Sequence, residues 1–97
     1  MPIGLQWLLT INKFLIGNMK FTVYSKNGCP YCDKVKQVLQ LSKLEHVTYT
    51  LGEDFNREGF YHQFGQGSTF PQVVINDIQH IGGCTETVQY LKNNKLV

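Results

Sequence analysis

Phe21-Thr22-Val23-Tyr24-Ser25-Lys26-Asn27-Gly28-Cys29-Pro30-Tyr31-Cys32 is the stretch on which the fold turns. Phe21-Thr22-Val23-Tyr24 is a short β-rich run, and Asn27-Gly28 is the turn signal that ends it. Beyond the turn, Val35, Val38 and Leu39 recur at i, i+3 and i+4 among Lys34, Lys36, Gln37 and Gln40, which predicts an amphipathic helix starting just after Cys29. Pro30 suits the first turn of that helix, where its missing N–H costs nothing. Val47-Thr48-Tyr49-Thr50-Leu51 then reads as a second strand, and a strand, helix, strand series gives a parallel pair with a right-handed crossover.

Further along, Phe55, Phe60 and Phe64 mark a short second helix between Asp54 and Phe64, weakened by Gly59, and read as core positions. Gln72-Val73-Val74-Ile75 and Ile78-Gln79-His80-Ile81 flank Asn76-Asp77 and predict an antiparallel hairpin with a tight turn. Gly82-Gly83 breaks the pattern. Thr85 and Glu86 start a last helix carrying Val88 and Leu91, with Lys92 and Lys95 placed to oppose its C-terminal dipole. The order βαβαββα predicts an α/β fold with a mixed four-stranded sheet.

A chain of 97 residues with 42% hydrophobic and 12% aromatic content has material for one core and one domain. A formal charge of +2 with 16% charged residues supplies neither a nucleic-acid footprint nor a polybasic membrane patch. Lys34, Lys36 and Lys43 read as a solvated helix face. Residues 1–18 include Leu5, Trp7, Leu8, Leu9, Ile11, Phe14, Leu15 and Ile16, but Asn12 and Lys13 interrupt any span of membrane length. They also lack the basic start, apolar middle and small-residue cleavage site of a secretory signal. Two readings of them stand: an upstream extension before Met19, or an extra amphipathic helix packed on the domain through Leu8, Ile11 and Leu15. The domain proper is expected over residues 19–97, as a cytoplasmic monomer.

The three cysteines are Cys29, Cys32 and Cys84, an odd number with one C-x-x-C pair, which argues against a structural disulfide scaffold. A redox cysteine must favour the thiolate and stay open to a second sulfur. Cys29 lies where a loop enters a helix, so unpaired N–H groups, the positive dipole end and the Lys26 cation can all lower its pKa into the roughly 3.5–7.5 range of activated thiols. Cys32 is one helical turn further on, within disulfide reach, and can serve as the resolving thiol. Pro30 stiffens the entrance and Tyr31 gives it a flat apolar face. The bland alternative is a zinc knuckle from Cys29, Cys32, Cys84 and one of His46, His62 or His80, but a second closely spaced ligand pair is missing. Cys84 alone reads as a small hydrophobe, with glutathionylation as the alternative. The histidines read as structural or solvent-facing.

Residues 20–97 resemble glutaredoxins at three motifs taken in order. Lys26-Asn27-Gly28-Cys29-Pro30-Tyr31-Cys32 looks like the dithiol active-site loop of the CPYC type, Thr69-Phe70-Pro71-Gln72 like the Thr-Val-Pro segment, and Ile81-Gly82-Gly83-Cys84, preceded by His80, like the glycine-pair signature. The resemblance implies a thioredoxin-like fold and glutathione as reductant and substrate, with no metal. It implies that the glutathione cysteine lies against a cis Pro71 and bonds the Phe70 backbone. Lys26 and Tyr31 would take the glycyl carboxylate, and Gly83, Cys84, Thr85 and Glu86 the γ-glutamyl end. The residues agree, since a helix N-terminus after two glycines suits a carboxylate and Glu86 can pair with an ammonium. Phe70 departs from the smaller aliphatic usual there, Gln66 from a frequent basic residue, and Thr85 from a frequent Asp or Ser.

The function implied is reduction of protein disulfides and glutathione mixed disulfides, with Cys29 as nucleophile and Cys32 as resolving thiol. Two rivals differ in kind. A thioredoxin-like reductant recharged by a flavin reductase has no use for the Gly82-Gly83 site. An iron–sulfur carrier, holding a cluster between Cys29 of two chains and two glutathiones, is disfavoured by Pro30. Ribonucleotide reductase is a family-level partner to which no residue here points.

Overall fold

The computed structural model describes residues 19–96, so both readings of residues 1–18 lie outside it. Seven elements follow one another as β1 (Lys20–Ser25), α1 (Pro30–Leu41), β2 (Glu45–Thr50), α2 (Arg57–Phe64), β3 (Gln72–Ile75), β4 (Gln79–Gly82) and α3 (Cys84–Asn93). The sheet runs β2-β1-β3-β4, with β1 and β2 parallel and the other two pairs antiparallel, so the expected βαβαββα order and mixed sheet are present. No helix among the described residues is long and apolar enough to cross a membrane.

Alternation along β1 sorts the layers. Phe21 and Val23 point to one face, where they pack with Val35 and Leu39 of α1, Val73 and Ile75 of β3, and Leu91 of α3. Tyr24 points to the other, where its ring meets Phe64 at 5.0 Å and Phe55 at 5.5 Å. The three phenylalanines expected in the core are therefore a separate aromatic layer. Phe60 is buried in it, whereas Phe55 and Phe64 are half-buried, because a helix as short as α2 covers only part of that face.

Element boundaries shift where local bonding outweighs pattern. Leu51 leaves β2 to form an isolated bridge with Phe55. The β3–β4 turn puts Asn76 and Asp77 at φ 54° and 61°, with the Ile78 N–H donating to the Ile75 carbonyl at 3.0 Å, a type I′ geometry. Ile78 consequently belongs to the turn, and β4 begins one residue later than the alternation suggests.

Lys43 and Lys95 prove to lie beyond the ends of their helices. Each occupies the left-handed position of a Schellman motif, at φ 57° and 56°. Leu44 and Leu96 follow them, donating N–H groups to the carbonyls of Leu39 and Leu91 at 3.1 and 2.8 Å. Leu44 thereby turns back into the core beside Leu39. Lysine fits this conformation badly. Lys43→Gly relieves about 1–2 kcal/mol of steric cost and gives back about 0.4–1 kcal/mol as unfolded-chain entropy. A net gain of about 0.5–1 kcal/mol should raise the urea midpoint, while Leu39→Ala should lower stability by about 2–5 kcal/mol in the same titration. A Lys43→Gly variant no more stable than the parent would refute the strain.

Candidate active site

A helix that begins at Pro30 needs something to accept from its first N–H groups, and Cys29 is the residue placed to do so. Its backbone is extended (φ −112°, ψ 104°), the N-cap conformation, and its Sγ accepts the Cys32 N–H at 3.2 Å. The sulfur thus takes the part usually played by a serine or aspartate oxygen. A covalent bond also joins the two halves of the motif: Cys29 and Cys32 form a disulfide, with Cα atoms 5.2 Å apart.

The openness expected of Cys29 is small in this oxidised pair. Cys29 is 5% exposed and Cys32 is wholly buried, so whatever surface the pair offers to another sulfur belongs to Cys29. Tyr31 is 65% exposed and stands at the entrance. On the opposite side, the Phe70 carbonyl oxygen lies 4.0 Å from Cys29 Sγ, and the Phe70–Pro71 peptide bond is cis.

A cleft of about 180 Å³ opens between these parts, lined by Tyr31, Thr69, Phe70, Pro71, Gly83, Cys84, Thr85 and Glu86. One wall is the loop before β3, the other the turn from β4 into α3. Thr69 was legible only as part of its motif. Gly82 has φ 128°, which calls for glycine, and a Cβ there would also crowd the Glu86 side chain at 3.0 Å. Cys84, Thr85 and Glu86 head α3, where backbone N–H groups lack intrahelical acceptors. Glu86 is engaged from within the chain, since its Oε1 accepts the Gly83 N–H at 2.9 Å.

Lys26 does not line the cleft. Its Nζ stands 5.4 Å from the centre of the Phe70 ring, and that ring stacks on Phe60 at 4.2 Å with 9° between planes. Cys84 is buried and unbonded. The rings of His46 and His80 are engaged elsewhere, Nδ1 of His46 with the Leu44 carbonyl at 2.8 Å and Nε2 of His80 with Gln72 Oε1 at 2.7 Å. Among the described residues, no three His, Cys, Asp or Glu side chains gather as a metal site requires. A second pocket, of about 300 Å³, was not foreseen; Tyr24, Tyr49, Phe55 and Phe60 supply its aromatic lining on the α2 face.

Known proteins match both the sequence and this arrangement. The glutaredoxin family model matches residues 21–81. Glutaredoxin-C4 of Arabidopsis thaliana is 35% identical over 89 residues, covering 87% of this chain and 64% of its own. Among solved structures, glutaredoxin 1 from Francisella tularensis, complexed with cacodylate, superposes with a TM-score of 0.66 at 33% identity, covering 80% of this chain and 96% of that one. A buckwheat glutaredoxin–glutathione complex gives 0.62 at 29% identity, covering 95% and 86%. With the dithiol loop, the loop before β3 and the glycine pair converging on one cleft, this chain belongs to the glutaredoxin family.

Proposed function

We propose that this glutaredoxin is a glutathione-dependent thiol–disulfide oxidoreductase in which Cys29 is the nucleophile and Cys32 the resolving thiol. The observation that carries the reading is the Cys32 N–H directed at Cys29 Sγ at a helix N-terminus, beside a cleft bounded by Tyr31, Phe70, Pro71 and the head of α3. A hydrogen bond and a positive dipole end both favour sulfur as thiolate over thiol.

The cleft fits part of a glutathionyl group. Its α3 wall offers the backbone N–H groups of Cys84 and Thr85 to the γ-glutamyl carboxylate, while Glu86, with one oxygen on Gly83, keeps a second for the ammonium. Pro71 and the Phe70 backbone receive the cysteinyl part next to Cys29. Tyr31 lines the entrance on the glycyl side, and Lys26, held over Phe70 outside the cleft lining, is the cation that would reach the glycyl carboxylate from there.

Chemistry then proceeds by two exchanges. The Cys29 thiolate attacks the glutathionyl sulfur of a mixed disulfide; that S–S bond breaks, a bond from Cys29 to the glutathione sulfur forms, and the substrate thiol departs with the electron pair. A second glutathione thiolate attacks this bond, leaving as glutathione disulfide and restoring Cys29. With a protein disulfide, Cys29 forms the mixed disulfide with the protein, and Cys32 displaces the protein thiol to give the Cys29–Cys32 bond present in the structure. Two glutathiones reduce that bond, and a reductase using NADPH regenerates them. Such a cycle needs a reduced glutathione pool, which favours a reducing compartment such as the cytoplasm as its place of work. Its substrates are glutathionylated and disulfide-bonded proteins as classes.

In a glutathione-coupled assay, Cys29→Ser should lose turnover on both substrate types; retained turnover would sink the assignment. Cys32→Ser should keep deglutathionylation but reduce protein disulfides at least about a hundredfold more slowly, because solution glutathione replaces a neighbouring thiol of far higher effective concentration. Equal loss on both substrates would contradict the resolving role.

Lys26→Glu should raise KM for a glutathionylated peptide and move the pH profile of Cys29 alkylation by iodoacetamide upward, since the exchange puts an anion where a cation favoured both carboxylate and thiolate. An unchanged KM together with an unchanged profile would confine Lys26 to its contact with Phe70.

A further inference from the structure

The two walls of the cleft come from different strands, and the ladder that joins those strands is irregular just where it reaches them. The register between β3 and β4 pairs Val74 with His80 but Val73 with Gly82, leaving Ile81 as an extra residue in a β-bulge. The irregularity falls where β3 leads back to Pro71 and β4 leads on to Gly83.

A side-chain bridge spans the defect. Gln72, 8% exposed and adjacent to Pro71, donates from Nε2 to the Thr69 carbonyl at 2.8 Å, closing the loop that carries Phe70. Its Oε1 lies 2.7 Å from Nε2 of His80 on the neighbouring strand. The amide has one orientation that works, because the reverse would set its oxygen against the Thr69 carbonyl. Gln72 Oε1 is therefore the acceptor, and His80 must carry its proton on Nε2. The His80 ring is steadied by Phe64 of α2, with centroids 5.0 Å apart.

We propose that Gln72 and His80 are positioning residues that fix the spacing between the loop wall and the glycine-pair wall of the glutathionyl cleft. The bridge runs from the Thr69 carbonyl through the Gln72 amide to the His80 imidazole, two residues before Gly82 on β4. It touches neither sulfur. Its loss should loosen binding of the glutathionyl group and leave the thiol chemistry alone, a consequence that rests on the function proposed above.

The test compares His80→Phe, which keeps a ring against Phe64 but has no donor, with His80→Gln, which restores one, and with Gln72→Met and the double variant Gln72→Met/His80→Phe. Turnover of a glutathionylated peptide should show KM raised about three- to tenfold in His80→Phe, the range for one lost hydrogen bond, with kcat and the rate of Cys29 alkylation within about twofold of the parent. His80→Gln should recover most of the parental KM. The double variant should be no worse than Gln72→Met, because both single changes break one bridge. Gln72 is buried and its variant can fail to fold; His80 is exposed, so His80→Phe decides the matter by itself. An unchanged KM in His80→Phe, or a fall in kcat and alkylation as large as the rise in KM, overturns the proposal.

Amide hydrogen exchange separates failure of this proposal from failure of the functional reading, since it needs no substrate. Exchange across residues 70–73 and 82–84 should quicken about three- to tenfold in His80→Phe and return toward the parent in His80→Gln. If the parent protein turned over no glutathionylated peptide, the functional reading would fall and faster exchange would still support the bridge. Unchanged exchange would overturn it.

Discussion

A helix starting at Pro30 has N–H groups that no helical carbonyl can reach, and the sulfur of Cys29 answers the one on Cys32. Much of the site depends on this contact. It sets Cys29 in extended backbone just outside the helix and Cys32 one turn inside, so that one residue keeps some exposure and the other keeps none. It also gives the outer sulfur a donor that favours negative charge. The difference between nucleophile and resolving thiol thus follows from which cysteine is the cap and which is the first buried residue of α1. Val35 and Leu39 anchor that helix in the core and so hold the cap against the sheet.

The second constraint is the placement of Phe70. Its carbonyl faces Cys29, while its ring belongs to the aromatic layer built on α2, stacked on Phe60 and within 6.2 Å of Phe55. A smaller aliphatic side chain could not extend that stack. The layer therefore reaches from the α2 face to the edge of the active site, where Lys26 stands over its last ring. What read in the sequence as a departure at one motif position is, in the fold, the link between the sheet's two faces and the place where a cation is held near the cleft.

The glycine pair joins backbone and chemistry in a comparable way. Gly82 accommodates φ 128° and the close Glu86 side chain, and Gly83 gives its N–H to Glu86, so the head of α3 is closed on one side by its own carboxylate. The anion site read from two glycines and a helix start is thus narrower than the sequence suggested, limited to the N–H groups beyond Gly83. A carboxylate three residues into the helix is itself a good partner for that helix end, and Glu86 uses one oxygen in this way.

Much of the fold was legible from sequence because the signals were local. A β-rich run, a turn, a proline at a helix start and a C-x-x-C one turn long each depend on residues within a few positions of one another, and so do the Asn76-Asp77 hairpin and the glycine pair. The sequence also named the residues of both cleft walls through its resemblance to a family. What it could not supply was any relation between distant segments. The bulge at Ile81 depends on how β4 registers against β3, the Gln72–His80 bridge on those two strands lying side by side, and the position of Lys26 on a ring more than forty residues away. The lysines at the Schellman positions carry no glycine signal, and the ends of those helices show only in the fold, where Leu44 and Leu96 turn back to pack on the core. Sequence alone determined the elements and the reactive pair, because backbone preference and thiol spacing act at short range. Tertiary structure decided how wide the cleft is, which residues line its two walls and which side chains bridge the strands beside them, because those are set by packing between segments that meet only when the chain has folded.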